Sequence, residues 1–283
     1  MLVAEHGIPS LKEIDWLLDD IDVVLTIETP YNWSLITKAK EKGVKSVIAP
    51  NYEWIPKIIP ANPDLWLCYN LLCYDYAPEP KVYVPQPIDT EQFKFKKRKK
   101  AKVFLFNNGN GGVHGRNCAD EFIQAIPFIK SDIKIIINSQ VPLRPINDNR
   151  VQVNIGTQKL EDIWKEGDVF VHIRKFGANS LPINEAIAQG MPIIGVDRKP
   201  ENLMIPKRFL IEPEGVYSFE CREDVRPVEA CVVNPIKIAE KIDEIANTDI
   251  SKESELMRDL AEKLSWKNQL DNWLKVLRDL CQK

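Results

Sequence analysis

The sequence lacks most of the features that mark specialised protein classes. No apolar run approaches the ~20 residues of a spanning helix. Mean hydropathy is −0.26, so no transmembrane segment is expected. Cysteine is scarce and scattered: Cys68, Cys73, Cys118, Cys221, Cys231 and Cys281 form no C-x-x-C pair, which argues against a disulfide framework and a structural zinc site. The three histidines, His6, His114 and His172, have no ligand spacing, and no metal centre is expected from them. The stretch Met1–His6 has neither a basic region nor an apolar one and does not read as a secretory signal. These absences together predict a reduced, cytoplasmic chain.

What is present is an ordinary globular composition of 283 residues, 44% hydrophobic and 28% charged, which excludes wholesale disorder. At roughly 100–200 residues per domain, two lobes are expected. The net charge of −3 is unevenly spread. Residues 1–93 carry seven Lys/Arg against fourteen Asp/Glu, whereas residues 94–102 carry seven bases and no acid. Pro85, Pro87 and Asp89 flank this basic strap as loop signals. The expected division is a first domain over 1–93, a second over 94–264, and a final helix, 265–283, packing back toward the first.

Periodicity predicts an alternation of strand and helix. Ser10, with Glu13 three residues on, reads as a capping box opening a helix to about Asp20. Short apolar runs at 22–27, 45–49, 65–68 and 81–84 read as buried parallel strands, with a helix over about 31–42 stopped by Gly43. Further strands are expected at 102–107, 133–138, 151–154, 168–173 and 192–196, with helices at about 117–129, 159–166 and 181–189. The tail from Pro235 is helical, with Trp266 and Trp273 on one face. This is the pattern of βαβ units, hence an α/β fold with mostly parallel sheets.

In such sheets ligands sit at the carboxyl ends of strands. The loop after 102–107 holds four of the chain's twelve glycines within seven residues, Gly109, Gly111, Gly112 and Gly115, together with His114 and Arg116. Exposed backbone N–H groups there would favour phosphate, and Arg116 would add a bidentate fork; a flexible surface loop is the alternative. The spacing fits neither G-x-G-x-x-G nor G-x-x-x-x-G-K-[ST], which argues against a dinucleotide dehydrogenase and a P-loop NTPase. The loop after 168–173 carries Arg174, Lys175, the small residues 177–180, and then a helix with Glu185. Glu185 would accept hydroxyl hydrogen bonds, as from a ribose, or serve as a solvated helix acid.

The run Ser180-Leu181-Pro182-Ile183-Asn184-Glu185-Ala186-Ile187-Ala188-Gln189-Gly190-Met191-Pro192 resembles the second half of the E-G-F-G-L-P-x-x-E-A-x-A-x-G-x-P signature of GT-B glycosyltransferases, above all the retaining family GT4. Gly177 stands where that signature has its first glutamate. Residues 84–93 resemble the P-x-G-V-D-x-x-x-F segment between the lobes, residues 168–171 the family's "aDvfv" strand, and Ser265-Trp266 the opening of its last helix.

The resemblance covers roughly residues 82–280. It implies two Rossmann-like lobes with a reduced N-terminal one, and transfer of a sugar from a nucleoside diphosphate donor, UDP- or GDP-linked. Retention of configuration and no metal or other cofactor are also implied. Glu185 would bind the donor ribose, and Arg116 with Gly111 and Gly112 would hold the diphosphate. Ser180 and Leu181 would add backbone donors, and Arg174 or Lys175 would accompany Arg116 in neutralising the leaving group. The glutamate missing at Gly177 bears on sugar identity and on activity itself.

Weaker candidates remain. Glu28, after the strand ending at Ile27, is an acceptor-side base or a surface acid. His6 is a substitute catalytic group or a terminal histidine. Asp20-Ile21-Asp22 is a D-x-D that reads better as a turn than as a metal motif, and His172 reads as core. The strap Lys94–Lys102 is an extended linker, a nucleic-acid contact or a contact for an anionic membrane. The acceptor therefore stays open: a nucleic acid with modified bases is one alternative, and a non-catalytic nucleotide-sugar binder is another.

Overall fold

The computed structural model describes residues 8–178 and 180–282, so the reading of His6 lies outside the described residues. Contacts divide the chain into two units. Among the described residues, unit 1 comprises 8–86, 220–227 and 269–282, and unit 2 comprises 87–178, 180–219 and 228–268. The break at 86/87 precedes the expected 93/94 because residues 88–93 are held in unit 2. There the Ile88 N–H donates to Leu264 O (2.8 Å), and Phe93 packs on the unit 2 core.

Unit 1 opens with helix α1, Leu11–Leu17, on the expected capping box. Glu13 N donates to Ser10 Oγ (3.3 Å) and Ser10 N to Glu13 Oε2 (2.7 Å). Strand β1 (Val23–Ile27), helix α2 (Ser34–Glu41), β2 (Lys45–Ala49), β3 (Leu65–Cys68), helix α3 (Leu71–Tyr76) and β4 (Lys81–Tyr83) follow. The four strands form one parallel sheet in the order β1-β2-β3-β4. Ile14 and Leu18 pack with Val24, Leu35 and Ala39, while Trp273 and Leu280 cover Val47, Leu67 and Tyr69.

Unit 2 contains β5 (Val103–Gly109), helix α4 (Ala119–Ala125), β6 (Lys134–Ser139), β7 (Val151–Ile155), α5 (Leu160–Ile163), β8 (Val169–His172), α6 (Leu181–Ala188), β9 (Ile193–Val196) and β10 (Leu210–Ile211). A hairpin, β11 (Gly215–Phe219) and β12 (Val228–Val232), and helices α7 (Pro235–Ile245) and α8 (Ser251–Lys263) complete it. Helix α9 spans Trp266–Cys281, and its residues from Gln269 on belong to unit 1. The six-stranded sheet runs β10-β9-β8-β5-β6-β7, all parallel. Chain order therefore reverses between β5 and β8, and a ligand crevice forms at such a reversal.

The basic strap is not an extended linker. It lies along unit 2: Ile250 N donates to Lys99 O (3.2 Å), Ala101 N to Thr248 O (3.2 Å), and Lys97 pairs with Glu255 (2.5 Å). Arg98 is only 2% exposed and donates to the carbonyls of Lys96 and Gln189. Hydrogen bonds to backbone carbonyls compensate for burying that charge. The two tail tryptophans also differ: Trp273 is buried and Trp266 is exposed.

Candidate functional site

Two loops leave the carboxyl ends of β5 and β8, the strands flanking the reversal. Three asparagines lie in register near the carboxyl ends of β5, β6 and β7. Asn154 Nδ2 donates to Asn138 Oδ1 (2.8 Å), and Asn138 Nδ2 donates to Asn107 Oδ1 (2.9 Å). This polar ladder crosses β5, β6 and β7 near their carboxyl ends. Asn108 braces the loop beyond it: its Nδ2 donates to Ser139 Oγ (3.0 Å), and its carbonyl accepts from Asn117 Nδ2 (2.7 Å) and Gly111 N (3.0 Å). Gly109, Gly111, Gly112 and Gly115 all have positive φ. A Cβ on Gly112 would meet Arg116 Cγ at 2.8 Å and Asn117 Oδ1 at 3.0 Å. The Arg116 side chain thus packs at its Cγ against Gly112, with no room for a Cβ between them.

The β8 loop is bonded to this one: Lys175 N donates to Arg116 O (2.9 Å), and Cys231 N of β12 donates to Lys175 O (2.8 Å). Phe219 of β11 meets both loops, its ring 5.2 Å from His114 and 5.0 Å from Phe176. Arg198 fastens the β8 loop from beneath. Its Nε donates to Arg174 O (2.9 Å), its Nη1 to Gly177 O (2.8 Å), and its Nη2 lies 2.6 Å from Glu201 Oε2. His172 Nε2 sits 3.0 Å from Ser180 Oγ and 3.6 Å from Glu201 Oε1. Burial holds the His172 imidazole below its usual range, against the pull of Glu201. Burial pushes Glu201 up, but Arg198 and His172 outweigh it and keep the carboxyl low.

The structure thus brings Gly111, Gly112, His114 and Arg116 into one loop and Arg174 and Lys175 into the loop bonded to it, with Ser180 and Leu181 opening helix α6 at that loop's end. Their surroundings differ from one another. Lys175 Nζ pairs with Glu121 (2.7 Å), so its charge is partly answered within the chain. Arg174 is buried, and its guanidinium lies 3.5 Å from where a Cβ on Gly177 would stand. Gly177 has φ +124, a backbone that disfavours glutamate or any L side chain. Ser180 occupies the N-cap position of α6 but makes no side-chain cap, since its hydroxyl is turned to His172. Leu181 is exposed.

Glu185 is not a solvated helix acid. It is half-buried, its Oε2 accepts from Trp164 Nε1 (2.8 Å), and burial raises its carboxyl against that bond. Asp20 stands in a turn with φ +55, and no group of ligating side chains with metal geometry occurs among the described residues.

Glu28 belongs to unit 1, just past the carboxyl end of β1. Its backbone is held at φ +103, with its N–H donating to Ala49 O (2.9 Å). It lines a cavity of about 730 Å³ together with Trp33, Trp54, Lys57, Arg222 and Asp224. Sequence reading missed Arg222 and Asp224, the Asn107–Asn138–Asn154 ladder, and the Arg198–Glu201 pair. An asparagine at the end of each of the expected strands 102–107, 133–138 and 151–154 was the available signal for the ladder. Charges at i and i+3 directly after β9 were the signal for the pair. Nothing local marked residues 220–227 as part of unit 1.

Neither a protein-family profile nor a curated protein sequence matches this chain. Solved structures do match in fold. A glycosyltransferase from Rickettsia africae superposes with TM-score 0.70 at 12% identity, over 99% of this chain and 84% of that one. S. aureus TarM in complex with UDP and alpha-GlcNAc-glycerol gives TM-score 0.68 at 13% identity, over 96% of this chain and 58% of TarM. Sucrose-phosphate synthase from Thermosynechococcus elongatus gives 0.67 at 12% identity, over 95% and 76%. The chain also spans 59% of the length of the matched GtfA/B chain. The fold is α/β with Rossmann-like parallel sheets, the GT-B architecture of these glycosyltransferases.

Proposed function

We propose that the chain is a glycosyltransferase that takes a sugar from a UDP- or GDP-linked donor, with retention and without a metal. The observation that carries this reading is the join at the sheet's reversal, where the glycine-rich β5 loop and the β8 loop meet through the Lys175 N to Arg116 O bond. The guanidinium of Arg116 suits a diphosphate, while the N–H groups of Gly111 and Gly112 are spent within the loop, on Asn108 O and Asn110 Oδ1, and set the shape of the turn rather than donate to the ligand. The positive end of α6 is left uncapped by Ser180, which favours an anion there.

In this reading Glu185 takes the ribose hydroxyls once its carboxylate leaves Trp164. Arg116 with Arg174 stabilises charge developing on the leaving diphosphate, and Lys175, held by Glu121, contributes chiefly by holding the loop. Gly111, Gly112 and His114 shape the turn, and Ser180 and Leu181 begin the helix beneath it. Glu28 serves the acceptor side from unit 1.

Calorimetry with UDP and GDP tests the donor reading. Glu185→Ala is expected to lose about 1.5–3 kcal/mol, the scale of a charge-assisted hydrogen bond. Arg116→Ala is expected to weaken the diphosphate more than the corresponding nucleoside. Wild-type affinity in both variants, or no binding of either nucleotide to the wild type, overturns it. Binding without donor hydrolysis or transfer would instead identify a nucleotide-sugar binder. Transfer that survives EDTA is expected; loss on chelation restored by Mg²⁺ would refute metal independence.

A further inference from the structure

We propose that the acceptor is a neutral carbohydrate, and that its ring lies in the unit 1 cavity against Trp33 and Trp54, with its hydroxyls on Glu28 and Asp224. The identification of this sugar as an acceptor rests on the transferase reading above; the carbohydrate site itself rests on the cavity.

At about 730 Å³, the cavity falls within the ~300–1,000 Å³ typical of small-molecule sites. Its walls combine two half-buried indoles with carboxylates, and Tyr31 stands exposed at its rim. Trp33 is backed by the buried Trp66, ring centres 6.3 Å apart, so it presents a braced surface. Arg222 lies over the Trp54 ring at 5.7 Å and binds Asp224 through its Nη2 (2.9 Å).

Charge decides among ligand classes. Both cations of the cavity are already answered within unit 1: Arg222 by Asp224, and Lys57 by Glu220 at 2.9 Å. Glu28 forms no ion pair among the described residues. The cavity therefore has no surplus cation for a phosphate, which disfavours a polynucleotide or a phospholipid headgroup. A purely apolar tail fails for the opposite reason, because it would desolvate Glu28 and the Arg222–Asp224 pair without replacing their hydrogen bonds.

A pyranose satisfies both halves of the wall. One face of the ring is C–H and packs on an aromatic surface, while its edge carries hydroxyl donors for carboxylates. The strained backbone at Glu28 fits this use: φ +103 is costly for a residue with a side chain, and such strain collects at binding sites.

The test uses the full chain without nucleotide. Saturation-transfer NMR and tryptophan fluorescence are followed with methyl glucoside, methyl galactoside, methyl N-acetylglucosaminide, maltose and lactose. A single-stranded oligonucleotide and phosphatidylglycerol vesicles are the comparators. At least one saccharide is expected to bind. Trp54→Ala is expected to weaken it about tenfold, and Trp54→Phe, which keeps a ring, by less. Glu28→Gln is expected to weaken it several-fold with an unchanged unfolding midpoint.

The inference is overturned if no saccharide binds, if Trp54→Ala binds as well as the wild type, or if only the oligonucleotide or the vesicles bind. Calorimetry with UDP and GDP on the same samples separates the two readings. Nucleotide binding with no saccharide binding sinks the acceptor class alone; the reverse sinks the donor reading and leaves a carbohydrate-binding cavity.

Discussion

Gly112→Ala, set beside Gly115→Ala, isolates what the glycine turn does for Arg116. Gly112 has φ +69 and ψ 156, a region essentially restricted to glycine, which costs an alanine of order 1–3 kcal/mol. Its new Cβ would also stand 2.8 Å from Arg116 Cγ and 3.0 Å from Asn117 Oδ1, closer than van der Waals contact allows. The flexible partner is Arg116, so the overlap is relieved by displacing the guanidinium. Gly115, three residues on, has φ +63 with nothing within 4 Å of its virtual Cβ. It bears only the left-handed backbone cost of about 1–2 kcal/mol. Both variants are therefore expected to lose comparable stability in urea titrations, but only Gly112→Ala is expected to lose UDP or GDP affinity in calorimetry. A loss of one charge-assisted bond corresponds to about 1.5–3 kcal/mol. Equal affinity losses in the two variants would mean that loop order, not the placement of Arg116, governs binding.

Three further outcomes follow from buried ionisable groups. Burial raises the folded pKa of Glu185, so its favourable contribution is present at low pH and lost as pH rises through that value. Glu185→Gln is thus expected to stabilise the free protein at pH 7 but not at pH 4 by thermal melts, and an equal effect at both would refute the burial reading. His172 has a lowered pKa, so the unfolded chain takes up a proton below about 6.5 that the folded one refuses. Its stability contribution is therefore lost as pH falls through that range. His172→Gln is expected to show a smaller drop in urea midpoint between pH 7.5 and 5.5, and parallel drops would count against it. Burial brings Arg98 down to about 10, still charged at neutral pH. Arg98→Met is expected to cost about 1–3 kcal/mol by leaving backbone acceptors short, whereas a neutral result would restore the reading of the strap as a loose linker.

Much of the secondary structure was legible locally. Apolar runs such as Ile135–Ile137 and Val169–Val171 have nowhere to go but a sheet covered on both faces, and they lie in β6 and β8. Ser10 and Glu13 announced α1 because a capping box is completed within four residues. The glycine turn was legible for the same reason: positive φ is a property of single residues. The helix expected over 117–129 ends at Ala125, where Ile126–Phe128 tightens into a 3₁₀ turn carrying Pro127.

The sequence by itself thus determined the βαβ rhythm, the candidate loops and the resemblance carried by residues 180–192, because each depends on neighbours in the chain. Partnership across long separations belonged to the tertiary structure. The strand order that sets β5 beside β8 brought Arg116 to Lys175, separated by 59 positions in sequence. Folding gave Lys175 to Glu121, buried Arg98 within a strap that looked uniformly solvated, and turned Ser180 from its helix cap to His172. It also set Arg222 and Asp224 beside Glu28 in unit 1. A side chain's type fixes which partners satisfy it, but which partner lies within 3 Å is decided by packing, and a buried charge takes the nearest group that answers it.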